Sequence, residues 1–236
     1  MTKGLKIPCS KGPWNCQRKR DGQSDLLQKG RETNRMDLDR KTGIKENLIA
    51  EVGSQEAETI WNRAKVILKE IEASYPDIPK GQQMHEGFIF PSAAVQLAIR
   101  EIKSDPDLGY RVISEYSWAK SKEMGARLRK TARIPGFKRL FVKMWGPISR
   151  KMFGPDAGFK NVFYPNKKGE YRMDITECPY NRYFTELGTQ ELTKIFCIND
   201  ECTYGDIPGL EFIRHTTLGT GGDRCDFYVR VKKPRR

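Results

Sequence analysis

The sequence predicts an α+β fold, with N-terminal helices packed on a small antiparallel sheet that carries two inserted short helices. Three observations predict it. Apolar residues recur at helical spacing through residues 54–152. From Gly158 the period changes, and Tyr171, Met173 and Ile175 alternate with Arg172, Asp174 and Thr176. Two turn signals, Asn166-Lys167-Lys168-Gly169 and Thr220-Gly221-Gly222-Asp223, punctuate the second half.

Residues 1–42 hold eleven basic and five acidic residues, several glycines and few large apolar side chains. Such a segment buries too little surface to offset its ordering entropy. It is expected to be a disordered or loosely attached basic arm, with residues 43–236 forming a single α+β domain. A nucleic-acid-binding tail around Arg18-Lys19-Arg20 is the alternative to a merely solvated cluster.

The first helix is expected over residues 54–74, where Ala57, Ile60, Trp61, Ala64, Ile67, Leu68 and Ile71 line one face. Ser54 and the acids after it suit an N-terminus, and Pro76 and Pro79 end the helix. A loop carrying His85 follows. A second helix is expected over residues 91–103, with Pro91 in its first turn. A third covers residues 107–130. A fourth, after Pro135, uses Phe137, Leu140, Phe141, Met144, Trp145, Ile148 and Met152, with Pro147 expected to kink or divide it.

Residues 159–163 and 171–176 then form a hairpin. Two short helices, residues 179–187 and 189–201, hinge at Gly188. Strands at residues 210–214 and 226–231 complete the sheet.

Charge is concentrated. The chain carries +13, and residues 120–151 contain eleven Lys or Arg against one acid, Glu123. The fourth helix sets Lys138, Arg139, Lys143, Arg150 and Lys151 opposite its apolar side. Three readings stay open for it: a core helix with a solvated face, a membrane-surface helix, or a nucleic-acid contact. Short basic clusters are ordinarily solvated and amphipathic helices ordinarily face their own core, so nucleic acid is not the expected partner, while peripheral membrane contact stays open.

No apolar run reaches the length of a membrane span, and no apolar stretch follows the basic start as a secretory signal would require. Reduced thiols and a cytoplasmic location are the expectation. The six cysteines form no C-x-x-C pair and there are two histidines, so no metal and no cofactor is expected.

Residues 174–227 concentrate polar chemistry, with four of the six cysteines. Buried polar groups need partners, so such density points to a site. Cys178 falls at a strand end and helix start, where the dipole favours thiolate. Cys197 and Asp200 are three apart on one helix face. Glu186 and Glu191 flank Gly188. Cys225 and Asp226 point to opposite faces of a strand. Against this, a free cysteine is usually packing, acids near Arg214 make ion pairs, and the glycines serve turns. The glycine-rich turn leads into a strand, which argues against a nucleotide loop.

The residues Asp174-Ile175-Thr176-Glu177-Cys178-Pro179-Tyr180, Phe184 to Gly188, Glu191-Leu192, Phe196-Cys197, Asp200, Arg214, Thr217-Leu218-Gly219, Gly221-Gly222 and Cys225-Asp226-Phe227 resemble the signature of the L-2-amino-thiazoline-4-carboxylic acid hydrolase family. His85 with Ile89-Phe90-Pro91, and Ile134-Pro135-Gly136 followed by Gly158-Phe159, resemble it too. The similarity spans roughly residues 55–230. It implies hydrolytic opening of a small cyclic amidine or thiazoline carboxylic acid to an N-carbamoyl amino acid. On that expectation Cys178 is the nucleophile, with Asp174, Glu186, Cys197 and Cys225 in the catalytic set; the rival is direct attack by water activated by Asp174 or Glu186, with the cysteines only lining the pocket. Arg214 clamps the substrate carboxylate. His85, Tyr180, Thr217, Gly221, Gly222 and Asp226 line the binding site, with the Gly221-Gly222 amides facing developing negative charge. The alternatives are a non-catalytic small-molecule-binding domain, or a membrane-surface or nucleic-acid-associated protein acting through residues 120–151. Nothing in the sequence gives the oligomeric state.

Overall fold

The computed structural model describes residues 37–232, apart from Ser104 and Asn166; they belong to a compact unit, Met36–Arg236. The expected arm lies outside the described residues up to Met36. Its last residues are built into the fold. Asp37 accepts from the Asp39 amide at 2.9 Å and starts a short 3-10 turn, Leu38–Arg40, whose Leu38 is buried in the helical core.

Helix α1, Thr42–Val52, was not expected from the sequence. It buries only Ile44 and Leu48, too few positions for a clear 3.6-residue stripe. Gly53, at φ 81°, separates it from α2, Ser54–Ser74. That φ is costly for any residue with a Cβ. Helix α2 buries the seven residues expected, Trp61 among them at zero exposure, and each such large side chain contributes about 1.5–3 kcal/mol.

Helix α3, Gln83–Lys103, begins eight residues before the expected start, so His85 and Glu86 sit in its first turn rather than in a loop. Pro91 lies inside it. An interior proline forfeits one backbone hydrogen bond. Helix α3 is buried almost all round between Ile89 and Ile99, and that packing outweighs the lost bond. Helix α4, Pro106–Thr131, starts under an Asp105 cap that accepts from the amides of Asp107 (2.9 Å) and Leu108 (3.1 Å). Helix α5, Phe137–Met152, runs continuously through Pro147, so the expected division does not occur.

The sheet comprises β1 (Lys160–Phe163), β2 (Glu170–Glu177), β3 (Leu210–Ile213) and β4 (Cys225–Val231), in the order β1-β2-β4-β3 with every pairing antiparallel. Helices α6, Pro179–Glu186, and α7, Thr193–Tyr204, are inserted between β2 and β3. Gly188 (φ 70°) and a 3-10 turn, Gln190–Leu192, make the hinge between them. The α+β class with helices first is therefore the architecture of this chain.

Apolar side chains form two clusters. One lies among α1 to α4 and takes in Tyr183, Phe184, Leu192 and Ile195. The other joins the buried side of α5, Val142 and Trp145, to the inner sheet face of Tyr171, Met173, Ile175, Cys225, Phe227 and Val229. Trp145 stacks on Phe227 with centroids 5.8 Å apart. Tyr180 packs against both clusters, and the polar centre of the molecule forms around it.

Candidate active site

Strand register decides which predicted residues meet. Cys225 pairs with Ile175, and Asp226 with Asp174. Residues directly opposite share a face, so Cys225 points inward and both aspartates point outward. Asp174 is 5% exposed on the outer face. It accepts from the Tyr164 hydroxyl at 2.8 Å, with Arg224 Nε at 3.5 Å and Arg172 Nε at 3.8 Å. It therefore does not join the cysteines, because strand alternation turns it away from them. Asp226 accepts from the backbone amides of His215 and Thr216, each at 2.8 Å, and from His215 Nδ1 at 2.7 Å. Burial opposes the charge on Asp226, but these donors hold its carboxyl below the usual range. Its role is to pin the loop after β3 against β4.

Glu186 is likewise elsewhere. It is exposed and accepts from the Tyr75 hydroxyl at 2.9 Å. Glu191 accepts from Gln96 at 2.7 Å and Arg100 at 2.6 Å. The hinge at Gly188 turns the two carboxylates to different partners rather than toward each other.

Three thiols do converge. Helix α7 brings Cys197, β4 brings Cys225, and the β2–α6 junction brings Cys178. The Cys225 thiol donates to Cys197. Cys178 feels the charge of Cys197, and Cys225 that of Cys178. Helix α7 is held in place by α4. Trp118 Nε1 donates to the Ile195 carbonyl at 3.1 Å, and Ser117 bonds Asn199. Gly125 lets the helices touch, since a Cβ there would meet the Cys202 carbonyl oxygen at 2.7 Å.

The three thiols differ in acidity. Burial pushes Cys178 up to about 12, although the amides of Asn181 and Tyr180 partly favour its thiolate. Desolvation outweighs the helix N-terminus here, so the expectation of a reactive Cys178 thiolate is reversed. Cys197 moves down. The Cys225 donor is the largest cause, joined by the Thr217 hydroxyl, the Gly219 amide and the Arg214 charge against the opposing effect of burial. Cys225 is held protonated because its proton serves Cys197 and because it is buried. The Leu218 amide donates to Cys225 Sγ at 3.3 Å.

The predicted Gly221 and Gly222 amides are consumed within their own turn, donating to Leu218 (3.3 Å) and Thr217 (2.9 Å) carbonyls. The amides facing sulfur come from Leu218 and Gly219 instead. Gly219 is packed so closely that a Cβ would lie 2.8 Å from Cys197 Sγ. Thr217 is buried, and its hydroxyl also bonds Thr220 Oγ1 at 2.9 Å.

Arg214 is not open to a substrate carboxylate. Its side chain is 4% exposed and bonds Asp200 (2.9 Å), Glu201 (2.9 Å) and the Cys197 carbonyl (2.5 Å). It braces α7 and places positive charge beside Cys197. Asp200 is pushed up to about 6 by burial, which Arg214 only partly counters.

His85 is buried against Phe159 and Tyr180. A carbonyl can only accept, so His85 Nε2–H donates to Met152 O (2.8 Å), and Nδ1 accepts from the Tyr180 hydroxyl (3.2 Å). Burial lowers its pKa, which keeps it neutral. Tyr180 is held protonated, by burial first and then by the charges of Cys178, Asp200 and Glu86.

Glu86 is a functional candidate missing from the sequence-based site. It has zero exposure, and neither carboxylate oxygen makes a hydrogen bond among the described residues. Burial pushes it up to about 7, only partly offset by its own backbone amide, by Arg182 and by Tyr183. Its signal in the sequence is a charged residue beside His85 next to an apolar run, in a segment that reads as a loop because Pro91 imitates a helix start.

Fold and site together define an α+β domain built around a half-buried cluster of thiols and acids. The family model described as L-2-amino-thiazoline-4-carboxylic acid hydrolase matches residues 82–229, most of the chain, and the chain belongs to that family. No curated protein and no solved structure matched.

Proposed function

We propose that the protein is a hydrolase that opens a small cyclic amidine or thiazoline carboxylic acid, of the 2-amino-thiazoline-4-carboxylate type, to an N-carbamoyl amino acid. Family membership supports the reaction class. The observation that carries the mechanism is the pairing of Cys197, drawn toward thiolate, with the protonated Cys225.

In this reading the Cys197 thiolate attacks the amidine carbon. The ring C–S bond breaks, its electron pair stays on the substrate sulfur, and a proton from Cys225 gives the free thiol. Water then adds to the enzyme-bound carbon, passing a proton to Asp200, and expels the Cys197 thiolate; Asp200 hands that proton to the Cys225 thiolate, which restores the resting state. Splitting the hydrolysis in this way lowers each barrier. The Leu218 and Gly219 amides stabilise negative charge near the sulfurs. Arg182, exposed and close enough to Glu86 to act on its charge, takes the substrate carboxylate in place of Arg214.

Turnover of 2-amino-thiazoline-4-carboxylate, followed by thiol release, tests this. Wild type is expected to release one thiol per turnover, and Cys197→Ser to lose roughly 10²-fold or more in kcat. A Cys178→Ser protein with that loss, beside an active Cys197→Ser, would return the nucleophile to Cys178. Absence of turnover in the wild type would leave a binding domain rather than an enzyme.

A further inference from the structure

Helix α5 carries apolar side chains on two opposite sides. Val142 and Trp145, with Gly146 and Ser149, face the sheet and are buried. Leu140, Met144 and Ile148 follow at four-residue spacing, so they share another face, and they are 56%, 45% and 39% exposed. Ile134, just before the helix, is 59% exposed. A surface helix ordinarily confines its apolar residues to the stripe facing the core. Here a second stripe stands in solvent.

Cations border that stripe. Arg139, Lys143, Arg150 and Lys151 are exposed, and the helix contains no acid. Glu123, the one acid in residues 120–151, pairs with Lys120 and Arg127. Among the described residues Arg139, Lys143 and Lys151 make no ion pair. At the start of α5 the same surface continues into a cleft of about 230 Å³ lined by Arg133, Ile134, Lys138 and Arg139 among others.

We propose that this face of α5 docks on an anionic lipid surface, with Leu140, Met144 and Ile148 entering the interface and the flanking cations meeting headgroup phosphates and carboxylates. The combination of apolar stripe and basic border is what an in-plane helix requires. No described helix is long and apolar enough to cross a membrane, so the contact is peripheral. A nucleic acid would use the cations but leave the apolar stripe unrewarded. A second copy of the chain would bring like charges together across a two-fold axis.

Sedimentation with vesicles of mixed phosphatidylserine and phosphatidylcholine tests the proposal on the full-length chain. The wild type is expected to bind at low salt and more weakly as salt rises. Each cation near the surface contributes about fivefold, so the combined Arg139→Gln, Lys143→Gln and Lys151→Gln protein is expected to bind roughly a hundredfold more weakly. The combined Leu140→Ser, Met144→Ser and Ile148→Ser protein is expected to lose vesicle binding while keeping its circular dichroism spectrum. Every altered residue is exposed, and the two triple variants fail to fold for different reasons if they fail at all, so one of them always reports. Three results overturn the proposal: no binding of wild type at low salt; binding that survives both triple variants, which would assign it to another part of the chain; or binding lost in the charge variant alone and competed by duplex nucleic acid. Failure of the hydrolase assay has no bearing on this result, since the stripe lies apart from the thiol cluster.

Discussion

At the scale of single residues, the site turns on which buried group holds a proton. Cys178 was legible as a cysteine at a helix start, but its acidity was not, because desolvation depends on neighbours that sequence does not reveal. Cys197 gains from Cys225, Thr217, Gly219 and Arg214, four partners brought together only by folding. Iodoacetamide at neutral pH is therefore expected to alkylate Cys197 ahead of Cys178, Cys202 and Cys225, as peptide mass spectrometry would reveal; equal labelling of Cys178 would refute the ordering. Glu86 gives a stability prediction. Its carboxyl is raised from 4.5 to about 7 in the folded chain. Between those values the folded state holds the proton that the unfolded state has released, so stability falls as pH rises through the window. The contribution is complete below the unfolded value and gone above about 7. A shift of this size corresponds to at most about 3 kcal/mol. Glu86→Gln cannot titrate, so its stability relative to wild type is expected to improve by up to about that amount between acidic and mildly alkaline pH, measured by urea unfolding. A difference that does not change with pH would show that this carboxyl does not titrate as described.

At the scale of elements, periodicity was a reliable guide where one face is buried and misleading where the whole circumference is. Helix α2 shows a single apolar stripe, and its limits and buried residues were all readable. Helix α3 is buried nearly all round, so Pro91 looked like a start and His85 like a loop residue. Helix α1, with two buried positions, was invisible. For the site, alternation correctly set Cys225 and Asp226 on opposite faces, yet the consequence for Asp174 depended on the β2–β4 register, which no local signal fixes. The short 3-10 turn Leu218–Thr220 bears on chemistry because Gly219 rests on α7. Gly219→Ala would place a methyl 2.8 Å from Cys197 Sγ and 3.2 Å from the Lys194 amide nitrogen, forcing the turn off the helix. The Gly219 amide would then leave the sulfur. The alkylation rate of Cys197 near neutral pH is expected to drop severalfold, with its pH profile displaced upward. An unchanged profile would mean that the turn does not tune the thiol.

At the scale of the whole molecule, charge is distributed so that one segment carries most of the excess. The chain holds +13 in total, with eleven cations and one acid in residues 120–151. Around α2, α3 and α4, cations are matched: Arg63 bonds Glu101 at 2.5 Å, Lys103 meets Glu56 at 2.9 Å, and Arg100 meets Glu191 at 2.6 Å. Exposed pairs of this kind are each worth no more than about 1 kcal/mol, so screening them removes little. The unmatched cations along α4 and α5 repel one another over longer distances, and that repulsion is what salt suppresses as the Debye length falls from about 30 Å at 0.01 M to about 8 Å at 0.15 M. Net self-repulsion destabilises a compact state. The melting temperature is therefore expected to rise across that range by about 2–4 °C, the shift that about 1 kcal/mol produces in a chain of this size. Neutralising Arg139, Lys143 and Lys151 together is expected to raise the low-salt melting temperature and to flatten its salt dependence, since those three charges stand without acidic partners. Differential scanning fluorimetry on the two proteins at both ionic strengths decides the matter. A melting temperature that falls with added salt in the wild type would mean that the matched pairs of α2 and α3 outweigh the unmatched side of α5.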